Sequence, residues 1–164
     1  MTCAFGVHTV GRVLILYGVC NALSSLSFGF IRKFICRRYL LILGATINLS
    51  VIITLLSWTP SSSDLPIFYL LAALWGVADA IWQTQINALY GCLFPGQEKA
   101  AFSNYKLWES LGFLFAFITS ATGVCVFPKI VLMLVSLILG MSGYLVVEYQ
   151  EAKQDEKLPD KAVQ

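Results

Sequence analysis

The stretch LWGVADAIWQTQINALYG, Leu74 to Gly91, is greasy enough for a bilayer yet holds Asp79, Gln83, Gln85 and Asn87. Placed on a helix at about 100° per residue, it sorts into two faces. Trp75, Asp79, Trp82, Ile86 and Tyr90 form one stripe, with Gln83 and Asn87 flanking it. Ala72, Gly76, Ala80, Thr84 and Ala88 recur every four residues as a ridge of small side chains. Such ridges let membrane helices approach closely, which drives their association where no hydrophobic force does. This segment is therefore expected among other helices and not against lipid. An aspartate at mid-membrane costs ~2.5–3.5 kcal/mol on insertion scales, so it faces a partner or a cavity. Two readings of Asp79 stand side by side: a hydrogen-bonded pin between helices, or the lining of a solute, ion or regulatory cavity.

The rest of the chain shares this character. Of its 164 residues 58% are hydrophobic and only 12% charged, and the mean hydropathy is +0.77. Val13–Ile31, Tyr39–Ser63, Leu65–Ala78, Leu111–Pro128 and Ile130–Val147 contain no Lys, Arg, Asp or Glu. About 18 apolar residues suffice to cross a hydrocarbon core of ~30 Å. The fold class is all-α, a multi-pass transmembrane helical bundle. Five spans are expected, at about 8–30, 39–58, 66–93, 101–124 and 128–147, followed by a polar cytosolic tail, 148–164, that frays. Pro60, Pro66, Pro95 and Pro128 fall at the joints, where proline suits first turns and breaks.

Orientation follows from lysine and arginine in the short loops. Arg32, Lys33, Arg37 and Arg38 sit between the first two spans, whereas TPSSSDLP after the second has no basic residue. Lys99 and Lys106 follow the third span, Lys129 alone the fourth, and Lys153, Lys157 and Lys161 the fifth. The N-terminus is expected outside and the C-terminus in the cytosol, in the plasma membrane. The bilayer itself is the first partner.

Other classes recede on composition. A net charge of +2, with dispersed basic residues, implies no nucleic-acid partner. The five cysteines form no C-x-x-C pair and read as small apolar fillers. One histidine, His8, builds no His-rich metal site. No Ser–His or His–Cys arrangement assigns a catalytic residue, and no cofactor or metal is expected. The sequon at Asn48 lies mid-span, out of reach of glycosylation. No basic n-region or A-x-A site suggests a cleaved leader.

Glu109 is the fourth span's acidic residue. At a rise of ~1.5 Å per residue Asp79 lies roughly 18–20 Å from the outer end of its helix, and Glu109 roughly 12 Å from the cytosolic side. The two carboxylates would share a depth, unless Glu109 simply pairs with Lys106 at i, i+3. Gly112, Ala116 and Ser120 give this span a small ridge too. Arg12 reads as a snorkelling residue at the end of the first span. The second and fifth spans, the most uniformly apolar apart from Asn48, are expected against lipid. The candidate cavity-lining residues are thus Trp75, Asp79, Trp82, Gln83, Asn87 and Glu109.

WGVADAIWQTQINALYG followed by AAFSNYKLWESLGF closely resembles the Unc-ninety-three family of membrane proteins, its homologue A branch most of all. The resemblance implies a branch of the major facilitator superfamily, two six-helix halves around a central cavity. On that plan the five spans are similar to the last five helices of the second half, and the third lines the central cavity. The second and fifth fall on the periphery. The chain would then be a fragment or short isoform that needs the missing half, or another copy, to enclose a pathway. The superfamily's loop motif, roughly G-x-x-x-D-R-x-G-R-R, meets GFIRKFICRR here. Gly29, Arg37 and Arg38 are kept; Lys33 replaces the aspartate and Cys36 the second glycine. The missing acid puts ordinary alternating-access gating in doubt. A nematode relative is regarded as a regulatory partner of potassium channels, and the homologue B branch escorts nucleic-acid-sensing Toll-like receptors. The resemblance implies an accessory or regulatory subunit of an ion channel, with a potassium channel or other membrane protein as partner. The alternative is a secondary transporter of a small solute.

Overall fold

The computed structural model describes the backbone of residues 2–31, 34–57, 64–123 and 125–161, with side chains described from 9 to 153 within those ranges. Five helices follow one another: α1 (Thr2–Ile31), α2 (Arg37–Ser57), α3 (Leu65–Leu93), α4 (Glu98–Ala121) and α5 (Val126–Lys161). No strand occurs among the described residues, so the all-α multi-pass bundle stands. Arg32, Lys33, the loop residues 58–63 and the chain's last three residues lie outside the description, as does the side chain of His8.

Four helices are long and apolar enough to cross a membrane: Thr9–Ile31, Arg37–Ser57, Leu65–Leu93 and Val126–Lys153. In α4 Asn104, Lys106 and Glu109 dilute the apolar residues that follow. Pro66 stands in the first turn of α3, where its missing N–H leaves no bond unmade. Between α3 and α4 Gly96 turns the chain at φ 82, a left-handed conformation that costs glycine little. The Gly96 N–H donates to Glu98 Oε1 at 2.9 Å, and holds that carboxyl below the usual range.

Two boundaries differ from the sequence reading. α1 begins at Thr2, ahead of the expected residue 8, because nothing between the two breaks a helix. The expected fraying tail is instead a continuation of α5 through Lys161. Its residues Glu151, Ala152 and Lys153 are good helix formers. The extension is also tied down: Arg37 bonds Glu148 at 3.4 Å and also Glu151, while Arg38 meets Glu148 at 3.2 Å.

α3 is the hub. Its backbone packs close to those of α1, α2 and α4, and that of α5 lies close to α2. Phe68, Leu71, Gly76, Ala78, Ala80, Ile81, Gln85 and Leu89 of α3 are buried, while α4 buries none of its residues. The small residues decide how close the neighbours come. A Cβ on Gly76 would lie 2.6 Å from the Tyr17 carbonyl oxygen of α1, so only glycine permits that contact. Gly44 of α2 approaches the Ile81 side chain more loosely, at 3.1 Å from the equivalent point. Leu41, Leu89 and Tyr144 then form a core joining α2, α3 and α5, with Trp82, Leu93 and Val147 packed around it.

Candidate functional site

The polar stripe of α3 divides between two neighbours. Gly76 brings α1 against one edge of the stripe, and Asp79, one turn on, meets the polar side chains that α1 carries there. The Tyr17 hydroxyl donates to Asp79 Oδ2 at 2.7 Å, and Asn21 Nδ2 donates to the same oxygen at 2.6 Å. Gln83, a turn further along α3, adds a third donor at 3.0 Å. Ser25 in turn donates to Asn21 Oδ1 at 3.2 Å, which fixes the amide's orientation. Of the two readings of Asp79, the pin between helices is therefore realised in the contacts: its carboxylate ties α1 to α3. Sequence reasoning missed Tyr17, Asn21 and Ser25. Their spacing of four along an otherwise apolar span is the signal that would have found them.

The other edge of the stripe looks elsewhere. Trp75, Trp82, Ile86 and Tyr90 line an open cavity of about 920 Å³ bordered by α2, α3, α4 and α5. Asp79, Gln83, Asn87 and Glu109 are not among its lining residues. The six candidates thus separate: two tryptophans on the cavity, Asp79 and Gln83 in the α1 seam, Asn87 half-buried on α3, and Glu109 on α4. Asp79 lies one turn from Gly76, where the α1 backbone comes close enough for Tyr17 and Asn21 to reach its carboxylate. The peripheral placement of α2 and α5 needs correction as well. Both present large apolar residues outward, yet Leu41, Asn48 and Ile52 of α2 and Lys129, Gly140 and Tyr144 of α5 line this cavity.

Two buried polar atoms on the cavity wall have no hydrogen-bond partner, Asn48 Oδ1 and Trp82 Nε1. Glu109 pairs with Lys106 at 2.5 Å, the i, i+3 arrangement on the solvent-accessible side of α4. At the foot of α4, Tyr90 stacks tilted with Tyr105, Phe102 and Phe94 at centroid distances of 5.4 to 6.3 Å. Lys106 lies 5.0 Å from the Tyr105 ring centre. Among the described residues no group of three or more His, Cys, Asp or Glu side chains gathers as a metal site.

The arrangement of a polar seam and small-residue contacts within an apolar bundle meets a family pattern along most of the chain. Residues 2–145 match the family described as ion channel regulatory protein UNC-93. The chain belongs to the UNC-93 family. It is 49% identical over 153 residues to protein unc-93 homolog A of Danio rerio, covering 93% of this chain and 33% of that protein. It is 38% identical over 147 residues to the putative potassium channel regulatory protein unc-93 of Caenorhabditis elegans, covering 89% of this chain and 21% of that one. Protein unc-93 homolog B1 of Mus musculus is more distant, 28% identical over 151 residues, covering 89% of this chain and 25% of that protein. The chain therefore spans about a third or less of the length of these UNC-93 relatives. No solved structure matches it.

Proposed function

We propose that this UNC-93 chain is part of an accessory, regulatory subunit of an ion channel, with a potassium channel as the partner. The observation that carries the reading is the saturation of Asp79 Oδ2 by three donors from two helices. A carboxylate committed to a seam between packed helices, and absent from the cavity lining, suits a scaffold that presents a fixed surface to another protein. The description of the nematode relative as a potassium channel regulatory protein supports the same class. The names of the relatives lend nothing to solute transport.

In this reading all five helices cross the plasma membrane, with the N-terminus outside and α5 ending in the cytosol. The alternation of Arg37 and Arg38, the base-free loop 59–66, and Lys99 with Lys106 supports that orientation. The five helices stand as the later part of a longer helical protein built on the two-half plan, which the relatives' greater length supports. Co-purification with a co-expressed potassium channel in mild detergent tests the proposal. The chain should elute with the channel, and Asp79→Leu, which opens the α1–α3 seam, should abolish co-elution. Solute-dependent uptake by the purified protein in vesicles would establish the opposing class.

A further inference from the structure

The open cavity bordered by α2, α3, α4 and α5 is long, apolar and charged at one end. Along α5 its lining runs from Lys129 to Val147. That is roughly 27 Å at 1.5 Å per residue, close to the ~30 Å of a hydrocarbon core. Trp75, Phe115 and Leu132 typify the lining, and Lys129 is its only charged member. Lys129 is half-buried, and none of the four ion pairs among the described residues includes it. The room comes from Gly112 on α4 and from Gly140 and Gly143 on α5, where a Cβ would meet nothing. Volume decides between occupants. A transmembrane helix is ~10–12 Å across, so that length of it would need roughly 2,000 Å³ or more. The cavity offers about 920 Å³, too little for a helix and ample for one acyl chain. Charge narrows the choice further, because an ionisable group inside a membrane pairs with a counter-charge.

We propose that this cavity binds a long-chain fatty acid, with its carboxylate on the Lys129 ammonium and its chain laid along α5 past Gly140. One positive charge at one end of an apolar trough matches a monoanion with one long tail. A charge-assisted hydrogen bond holds the head, and each methylene taken up by the wall adds to the affinity. A phospholipid fits less well. Its two chains would have to share one trough, and each would reach only about 15 Å, half the hydrocarbon core. The lining continues well beyond that depth, and a free chain can follow it. The proposal is independent of the accessory-subunit reading and stands or falls without it.

Trp75 and Trp82 on the wall report occupancy directly. The test uses the full chain in phosphatidylcholine vesicles, with Trp58→Phe and Trp108→Phe removing the other two indoles. The probe is stearic acid brominated at mid-chain, whose bromines quench indole fluorescence on contact; its methyl ester is the uncharged control. Quenching should saturate with the acid at about tenfold lower content in the bilayer than with the ester. Lys129→Gln should bring the acid to the ester's level. Gly140→Phe fills open space and presses on no neighbour, so it should remove the saturable quenching with helicity unchanged by circular dichroism. Equal quenching by acid and ester before either further change would overturn the proposal, whatever the variants do. So would a preference for the acid that survives in Lys129→Gln, which would leave Lys129 a residue that merely snorkels. Unbrominated stearate should displace the probe. Displacement by phosphatidylglycerol just as well would give the cavity to phospholipids and equally overturn it, as would saturable quenching that persists in Gly140→Phe.

Discussion

At the scale of single residues the contrast between Gly76 and Gly44 is the sharpest consequence of the packing. A methyl at Gly76 would run into the backbone of α1, which cannot swing away, whereas at Gly44 it would press on the Cγ2 methyl of the buried Ile81. Gly76→Ala should therefore destabilise the protein by about 1–3 kcal/mol, as overpacking does. Gly44→Ala should cost less, since a side chain and not backbone must give, and thermal unfolding of the two variants in detergent will rank them. The Asp79 seam gives a second ranking. Asp79→Leu strands Tyr17, Asn21 and Gln83 as donors without an acceptor, at roughly 1–3 kcal/mol for each that stays buried. Asp79→Asn retains an acceptor oxygen and should lose about 1 kcal/mol or less. Surface expression should fall sharply for leucine and little for asparagine. Equal levels in the two would show that the hydrogen bonds contribute nothing.

At the scale of elements the ion cluster joining the start of α2 to the far end of α5 has a measurable signature. Arg37 and Glu148 are each only 19% exposed at their side chains, and Tyr144, itself buried, donates its hydroxyl to Glu148. Arg37→Ala and Glu148→Ala should each destabilise by about 1–2 kcal/mol, yet the double variant should cost little more than either alone, since the interaction is shared. Additive costs in that cycle would dissolve the cluster as a unit. α4 behaves differently. It meets α3 through the aromatic group around Tyr90 and buries none of its residues. Its amides should exchange with solvent faster than those of α3, and faster still in Tyr105→Ala.

These elements show what sequence makes visible. The long apolar helices, the small ridge of α3 and the Lys106–Glu109 spacing follow from composition and helical periodicity; the structure has four such helices, with Gly76 of the ridge against α1 and Lys106 on Glu109. The destination of Asp79 does not follow, because the stripe of α3 spans an arc that two different neighbours share. Which of them claims the carboxylate depends on where Gly76 lets α1 settle. The role of Glu148 and Glu151 was hidden for a related reason. A polar tail reads as solvated until its partners, Arg37 and Arg38, are placed beside it by the packing of α2 on α5.

For the whole molecule, α3 fixes α1, α2 and α4 around itself and leaves a cavity on one side and a charged seam on the other. In the proposed reading, that shape is what the chain presents to a partner. Topology is the first consequence. A thiol probe that cannot cross membranes should label Cys36, exposed between α1 and α2, only when added from the cytosolic side. Labelling from outside would invert the arrangement. The regulatory role is tested most directly by the whole-cell current of a potassium channel recorded with and without this chain. The account predicts a changed potassium current with the wild-type chain, no current from the chain alone, and reversion to the channel's own behaviour with Asp79→Leu. Potassium currents that stay unchanged while the chain is present at the cell surface would contradict it.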